Sequence, residues 1–295
     1  MKIGVSSVDK VYYSIAYFIV GTLTLIVLLP MVFIVSASFS TGSEVTAGRV
    51  WLFPVQPTLY NFEMVLQYQS VWIGYKNTII YTTLGTSINV LMTIICAYPL
   101  SRKNLVGRGF FTFLFTFTMI FSGGMIPAYI LVRNLRMINT IWAMVIPGSI
   151  SVYNMIVTRT FFQASIPEEL LEASKLDGCS DIQYFLRVLL PLSSSIIAVI
   201  SLFYAVVHWN SYFNAFLYLT RKELFPLQLF LREILVQNTF NTDIITDPDM
   251  VLQFQSIRET LQYAIIVVST VPLMCLYPFA QKHFVKGVMI GSLKG

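Results

Sequence analysis

The chain has 295 residues, of which 56% are hydrophobic and only 11% charged, against roughly 25% charged in an ordinary soluble domain. So few charges cannot cover a soluble globule, and they exclude a disordered tail or a nucleic-acid-binding domain. The net charge of +5 comes from 19 Lys and Arg spread along the whole chain, which in a membrane protein act as orientation signals.

Six stretches without Asp, Glu, Lys or Arg reach membrane length. In chain order they are Val11–Ser43, Asn77–Ser101, Gly109–Val132, Met137–Thr158, Val188–Thr220 and Thr260–Gln281. A spanning helix needs about 20 apolar residues. The pattern therefore predicts an all-α membrane protein of a single domain, 1–295, with six transmembrane helices near 13–38, 77–100, 109–132, 138–158, 188–212 and 260–281. The first run is too long for the roughly 7–15-residue core of a signal peptide. The fifth, at 33 residues, exceeds one span, and its Asn- and aromatic-rich end from Trp209 to Thr220 is expected to leave the bilayer core.

Six spans put both termini on one side. With the termini in the cytoplasm, the inside segments 1–10, 101–108, 159–187 and 282–295 carry 11 Lys and Arg over 61 residues. The outside segments 39–76, 133–136 and 221–259 carry 8 over 81. The bias favours that orientation. The two long external loops, 39–76 and 221–259, can meet an external partner, and Trp51, Trp72 and Trp142 fall near the outer interface, where amphipathic rings belong.

Pro30, Pro99, Pro127, Pro147, Pro191, Pro272 and Pro278 punctuate the spans. Such breaks are tolerated where helices pack on neighbours or line a path. The paired Gly123-Gly124 reads as a site of close helix packing. Every acidic and basic side chain lies outside the six runs, whereas ion-coupled carriers keep a charge in the membrane. His208, near a helix end, reads as a satisfied interfacial histidine. Cys96, Cys179 and Cys275 show no pairing or metal-ligand spacing and read as packing residues. No phosphate-binding G-x-x-x-x-G-K-[ST], H-E-x-x-H or G-x-S-x-G occurs. The expectation is a transport subunit, not an enzyme, with no catalytic residues, no metal and no cofactor of its own.

The inside loop Arg159–Arg187 holds five of the 14 acids. Ser165 and Glu168 have capping-box spacing, with Pro167 in the first turn, so a short helix is expected to about Leu176. Gly178 supplies a left-handed stop. Ser180 can cap a second helix, whose Ile182, Phe185, Leu186 and Leu189 form an apolar stripe. A helix–glycine turn–helix of this kind suits a knob docking into a partner's groove.

Glu172-Ala173-Ser174, Asp177-Gly178 and then Leu190-Pro191 resemble the coupling motif of binding-protein-dependent ABC importer permeases. Ser174 and Cys179 are mild departures for small residues of the motif. Trp209-Asn210 resembles a segment of the carbohydrate permeases. Gly291, Ser292, Leu293, Lys294 and Gly295 resemble the tail of the second permease subunit of maltose-type systems. The stretches Ile126–Tyr129 and Asn139–Trp142 are similar to the branch importing complex oligosaccharides.

The resemblance implies a type I ABC importer permease fold, a multi-pass bacterial cytoplasmic-membrane protein that moves a saccharide inward. It implies a second permease subunit, two cytoplasmic ATPases carrying ATP and Mg, and an external solute-binding protein, with no nucleic acid partner. It assigns ATPase coupling to Glu172, Ala173, Ser174, Asp177 and Gly178 within the 165–190 loop, and ATPase contact to the 291–295 tail. For substrate passage, Trp209, Asn210, Tyr212 and Asn214 of the fifth span and Tyr153 and Asn154 of the fourth offer aromatic faces beside amide and hydroxyl groups, the pairing that holds a sugar. The alternatives are an ABC permease for a non-sugar solute and an ion-coupled secondary carrier.

Overall fold

The computed structural model describes residues 7–237, 260–275 and 278. No strand occurs among them. The helices are α1 (Ser7–Ser38), α2 (Gly42–Thr46), α3 (Tyr60–Gln67), α4 (Gln69–Ser101), α5 (Arg108–Ile120), α6 (Met125–Asn134), α7 (Trp142–Val145), α8 (Val152–Ser165) and α9 (Glu168–Leu176). Then follow α10 (Asp181–Tyr184), a π-helical turn (Phe185–Leu189), α11 (Leu190–Leu192), α12 (Ser194–Trp209), α13 (Tyr212–Tyr218) and α14 (Leu227–Gln237), and last α15 (Thr260–Cys275). The chain divides into two compact units. One comprises the described residues up to Gln69 and those from Glu233 to Thr270. The other comprises Ser70–Arg232 and the described residues from Val271 onward.

In the first unit α1 is apolar beyond Lys10, and none of its most apolar stretch is buried by the rest of the protein, burial beginning only at Ser36, Ala37 and Ser38. Such a surface needs lipid or another protein over it. Its far end is fastened to the segment that follows. The Asn61 amide donates to the Ser38 and Ser40 carbonyls at 3.0 and 2.9 Å, and Phe62 packs on Phe39. The expected external loop 39–76 is thus a folded segment carrying α2 and α3, continuous with the start of α4. Phe33 meets Tyr263 of α15 edge to face.

In the second unit α4 is the longest helix, and it buries one face of small and polar residues. Asn77, Thr78, Tyr81, Gly85, Asn89, Thr93 and Ala97 recur on that face at helical spacing. At one end Asn77 donates to the carbonyls of Glu223 and Phe225, Tyr81 donates to Leu224, and Thr78 accepts the Leu227 amide. This folds 221–230 back onto α4, over a core of Tyr81, Val145, Ala215 and Phe230. Towards the other end a second core gathers Ala97, Met155, Tyr184, Leu189 and Ile200.

Asp9–Ser38 and Gln69–Ser101 are each long and apolar enough to cross a membrane. Two bent pairs make four spans if each pair is one span: Arg108–Ile120 with Met125–Asn134, bent by 111°, and Asp181–Leu192 with Ser194–Trp209, bent by 78°. The first bend corrects the reading of Gly123-Gly124 as a packing site. Gly124 is left-handed at φ 85° with nothing near its missing side chain, so the pair breaks the helix instead of admitting a neighbour. The second bend follows Pro191, at Ser193, whose hydroxyl donates back to Leu189. The expected fourth span over 138–158 is shifted: after α7, Pro147 and the following turn delay the long helix to Val152, and it continues to Ser165. Of the expected sixth span, Thr260–Cys275 is helical, and the remainder lies outside the described residues apart from Pro278.

Candidate functional site

The coupling segment comprises α9 and α10, joined by a turn at Gly178. Ser165 remains the last residue of α8, and Pro167 stands at the N-cap of α9 without a side-chain cap. The expected Ser165–Glu168 capping box is therefore not formed. Proline disfavours the helical conformation in the residue before it, and Ile166 is extended, which separates Ser165 from the start of α9. Glu168 instead takes Lys103, just beyond the end of α4, at 2.9 Å. Glu168 and Glu169 occupy the first turn of α9 and Lys175 the last, the order the helix dipole favours.

The turn after α9 satisfies the backbone as the glycine leads one to expect. Cys179 N–H reaches the Ser174 carbonyl at 2.9 Å and Gly178 N–H the Lys175 carbonyl at 3.0 Å, with Gly178 left-handed at φ 78°. Ser180 then forms a reciprocal capping box with Gln183. Glu172, Ala173 and Asp177 are exposed, and the half-buried Ser174 returns its hydroxyl to the Leu170 carbonyl. Glu172 has no ion-pair partner among the described residues. It lines a cleft of about 490 Å³ with Arg102, Lys103, Lys175 and Asp181.

The predicted stripe on the second helix is only half right. Leu189 is buried and Phe185 packs half-buried against the core, whereas Ile182 and Leu186 stay exposed. The π-helical turn at Phe185–Leu189 adds a residue to one turn and rotates the face. Arg102 lies over the rings of Tyr98 and Tyr184 at 4.9 and 5.3 Å and so joins the end of α4 to α10. Neither Arg102 nor Lys103 was singled out from the sequence, although a cation pair directly after an apolar helix is a legible C-terminal signal.

At the opposite end of α12, Trp209 is buried and its ring lies 6.5 Å from that of Tyr75. Asn210 caps the helix, its amide donating to Val206 at 2.9 Å, with Gln228 reaching its oxygen at 3.5 Å. Arg232 lies over the rings of Tyr212 and Phe216 at 5.7 and 4.4 Å, and Asn214 is half-buried on the same helix, α13. The fifth-span candidates thus lie together on α12–α13, joined by Gln228 and Arg232 from α14, which the sequence did not flag because 221–259 reads as an external loop. Tyr153 is exposed and Asn154 buried on the first turn of α8, so those two do not present one surface. His208 is buried against Gly85, with Nε2 lacking a partner, and is not the satisfied interfacial histidine expected. The tail 291–295 lies outside the described residues.

Residues 89–290 match the model of the binding-protein-dependent transport system inner membrane components. The polygalacturonan/rhamnogalacturonan transport system permease protein YtcP of Bacillus subtilis is 36% identical over 97% of this chain and 99% of its own. Protein LplC of the same organism is 38% identical over 93% and 92%. Among solved structures, a bacterial ABC transporter involved in the import of the acidic polysaccharide alginate superposes with a TM-score of 0.84 at 33% identity, covering 95% of this chain and 98% of the other. The match over most of the chain and the identity to these relatives establish that this protein belongs to the family of binding-protein-dependent ABC transport system inner membrane components, as a transport permease subunit and not an enzyme.

Proposed function

We propose that the chain is one of two different permease subunits of an ATP-driven importer that carries an oligosaccharide into a bacterial cytoplasm. The single transmembrane domain crosses the membrane six times, through α1, α4, the bent pair α5–α6, α8, the bent pair α10–α12, and α15, with both termini inside. Two ATPase subunits bind ATP and Mg beneath it, and this chain binds no cofactor itself. A solute-binding protein delivers cargo from outside, where the folded 39–67 segment faces.

The observation that carries this reading is the α9–Gly178–α10 turn, which holds an unpaired, exposed Glu172 on a helix fixed at both ends. Glu172, Ala173, Ser174, Asp177 and Gly178 form the surface that the ATPases move, and Gly291 to Gly295 reach the ATPase dimer. Trp209, Asn210, Tyr212 and Asn214 border the passage.

The cargo bears carboxylates. Relatives named for polygalacturonan and for the acidic polysaccharide alginate support this. So does Arg232, whose guanidinium lies over two rings and which shares α14 with Gln228, the partner of Asn210, and has no ion-pair partner among the described residues. A stacked guanidinium keeps its donor edge free for a carboxylate while amides meet sugar hydroxyls. The test is uptake by the complete complex in vesicles, comparing galacturonate and alginate oligosaccharides with neutral oligosaccharides of equal length. Acidic uptake that falls about tenfold in Arg232→Gln, with complex assembly intact, supports the reading. Preference for the neutral sugar, or no effect of the substitution, overturns the acidic cargo. If Asn210→Leu breaks assembly before uptake, that residue is structural.

A further inference from the structure

Thr82, Thr86 and Asn89 recur one turn apart along one side of α4. The two threonine hydroxyls and the Asn89 side-chain oxygen are buried with no hydrogen-bond partner among the described residues, and Asn89 as a whole is only 3% exposed. Helical hydroxyls ordinarily return to a carbonyl one turn back, as Ser87 does to Thr83 and Thr158 to Asn154. Thr82 and Thr86 make no such bond.

A fourth such atom comes from α12. The His208 ring rests on Gly85, which precedes Thr86 and lies one turn from both Thr82 and Asn89. His208 is 6% exposed, and its Nε2 is likewise without a partner among the described residues. Two turns further along α4, Thr93 shares a hydrogen bond with Tyr204, one turn before His208. Asn89 thus stands midway along α4 between two points where α12 meets it. Residues 77–101 and 188–220 hold no Asp, Glu, Lys or Arg. Leaving four polar atoms unanswered in such surroundings is unfavourable unless a ligand reaches them.

We propose that Thr82, Thr86, Asn89 and His208 form a binding site for hydroxyl groups where α12 crosses α4. The Asn89 oxygen needs a donor, the threonine hydroxyls both give and accept, and an imidazole nitrogen does one or the other, so the ligand must do both. An ionised carboxylate has no proton to give the Asn89 oxygen, and neither helix supplies a counter-charge for an ion. The hydroxyl comes from the sugar cargo or from water. Position favours the sugar. His208 directly precedes Trp209, and the Trp209 ring lies 6.5 Å from that of Tyr75, two turns before Thr82 on α4. The site therefore continues along α4 from the residues proposed to border the passage. Its four atoms are covered in the described arrangement, so the sugar meets them when α12 moves off α4 during transport. The assignment rests on the importer reading above, but not on the charge of the cargo.

The experiment compares the complete complex with its Thr86→Val, Asn89→Leu double variant. It reads the melting temperature in detergent and the uptake of galacturonate and neutral oligosaccharides in vesicles. Apolar side chains of similar shape remove the polar atoms without opening a cavity. The expected result is a roughly tenfold loss of uptake of both oligosaccharides, with the melting temperature unchanged or raised. Thr86→Ser, which keeps the hydroxyl, should lose no more than about twofold. A melting temperature lowered by about 3 °C or more, with or without loss of uptake, supports the site with water as its occupant. Unchanged uptake with an unchanged or raised melting temperature overturns the proposal. So does a loss as large in Thr86→Ser as in Thr86→Val, or one confined to the galacturonate oligosaccharide, because a hydroxyl site reads both sugars. If the double variant does not assemble, Thr86→Val alone is read in the same way. A complex that takes up neither oligosaccharide before substitution overturns the importer reading instead, and the thermal comparison still decides the site.

Discussion

The imidazole of His208 rests on the backbone of Gly85, with no room for a methyl group between them. Gly85 sits midway along the buried face of α4, and His208 one residue before the end of α12. The glycine is therefore needed for close approach. Gly85→Ala should cost about 1–3 kcal/mol through overpacking, read as a lower melting temperature of the purified complex. In Gly85→Ala with His208→Ala the added cost of the methyl should largely vanish. Strict additivity of the two would show that the contact does not form.

Gly178 is the opposite case, since a side chain there would meet nothing within 4 Å and the penalty is conformational. Gly178→Ala should cost roughly 1 kcal/mol and Gly178→Val more, with Gly178→Asn the mildest. The order Asn, Ala, Val should appear in transport per ATP hydrolysed. Indistinguishable Ala and Val variants would mean the turn has another conformation in the working complex.

Glu172→Lys should leave the chain inserted and the fold unchanged, because the side chain is exposed and makes no ion pair among the described residues. Stimulation of ATP hydrolysis by loaded binding protein should drop by at least about tenfold, as expected when a charge meets its like across an interface. Full coupling in this variant would remove Glu172 from the ATPase contact.

The Tyr204 hydroxyl joins three elements, accepting the Ser151 amide at 3.1 Å and sharing a 2.6 Å hydrogen bond with Thr93. Tyr204→Phe leaves both partners short of a bond in a buried place, and should cost about 1–3 kcal/mol in stability. Adding Thr93→Val should cost less than its separate effect. A melting temperature unchanged in Tyr204→Phe would indicate that water replaces the hydroxyl.

How much was legible in the sequence follows from which interactions are local. Uncharged runs of membrane length announce apolar helices, because a helix in lipid must satisfy its own backbone. The stop at Gly178 and the N-cap at Ser180 were likewise readable, since each depends on residues three or four apart. What local spacing promised and geometry refused also has a cause. Ser165 and Glu168 have capping-box spacing, but Pro167 between them extends Ile166. Ile182 and Leu189 have helical spacing, but the π-helical turn between them puts them on different faces.

The rest was decided by contacts between residues distant in the chain. Glu168 finds Lys103 across 65 residues and Asn77 finds the Phe225 carbonyl across 148, and nothing near either partner specifies the other. Arg232 joins Tyr212 only because 221–230 folds back onto α4. The sequence by itself settled that the chain is a membrane protein carrying a capped helix–glycine–helix turn, through composition and short-range hydrogen bonding. Which cations stand unpaired, and which amides and rings share a surface, was left to the tertiary structure, because charge pairing and burial depend on distances between helices that no local pattern encodes.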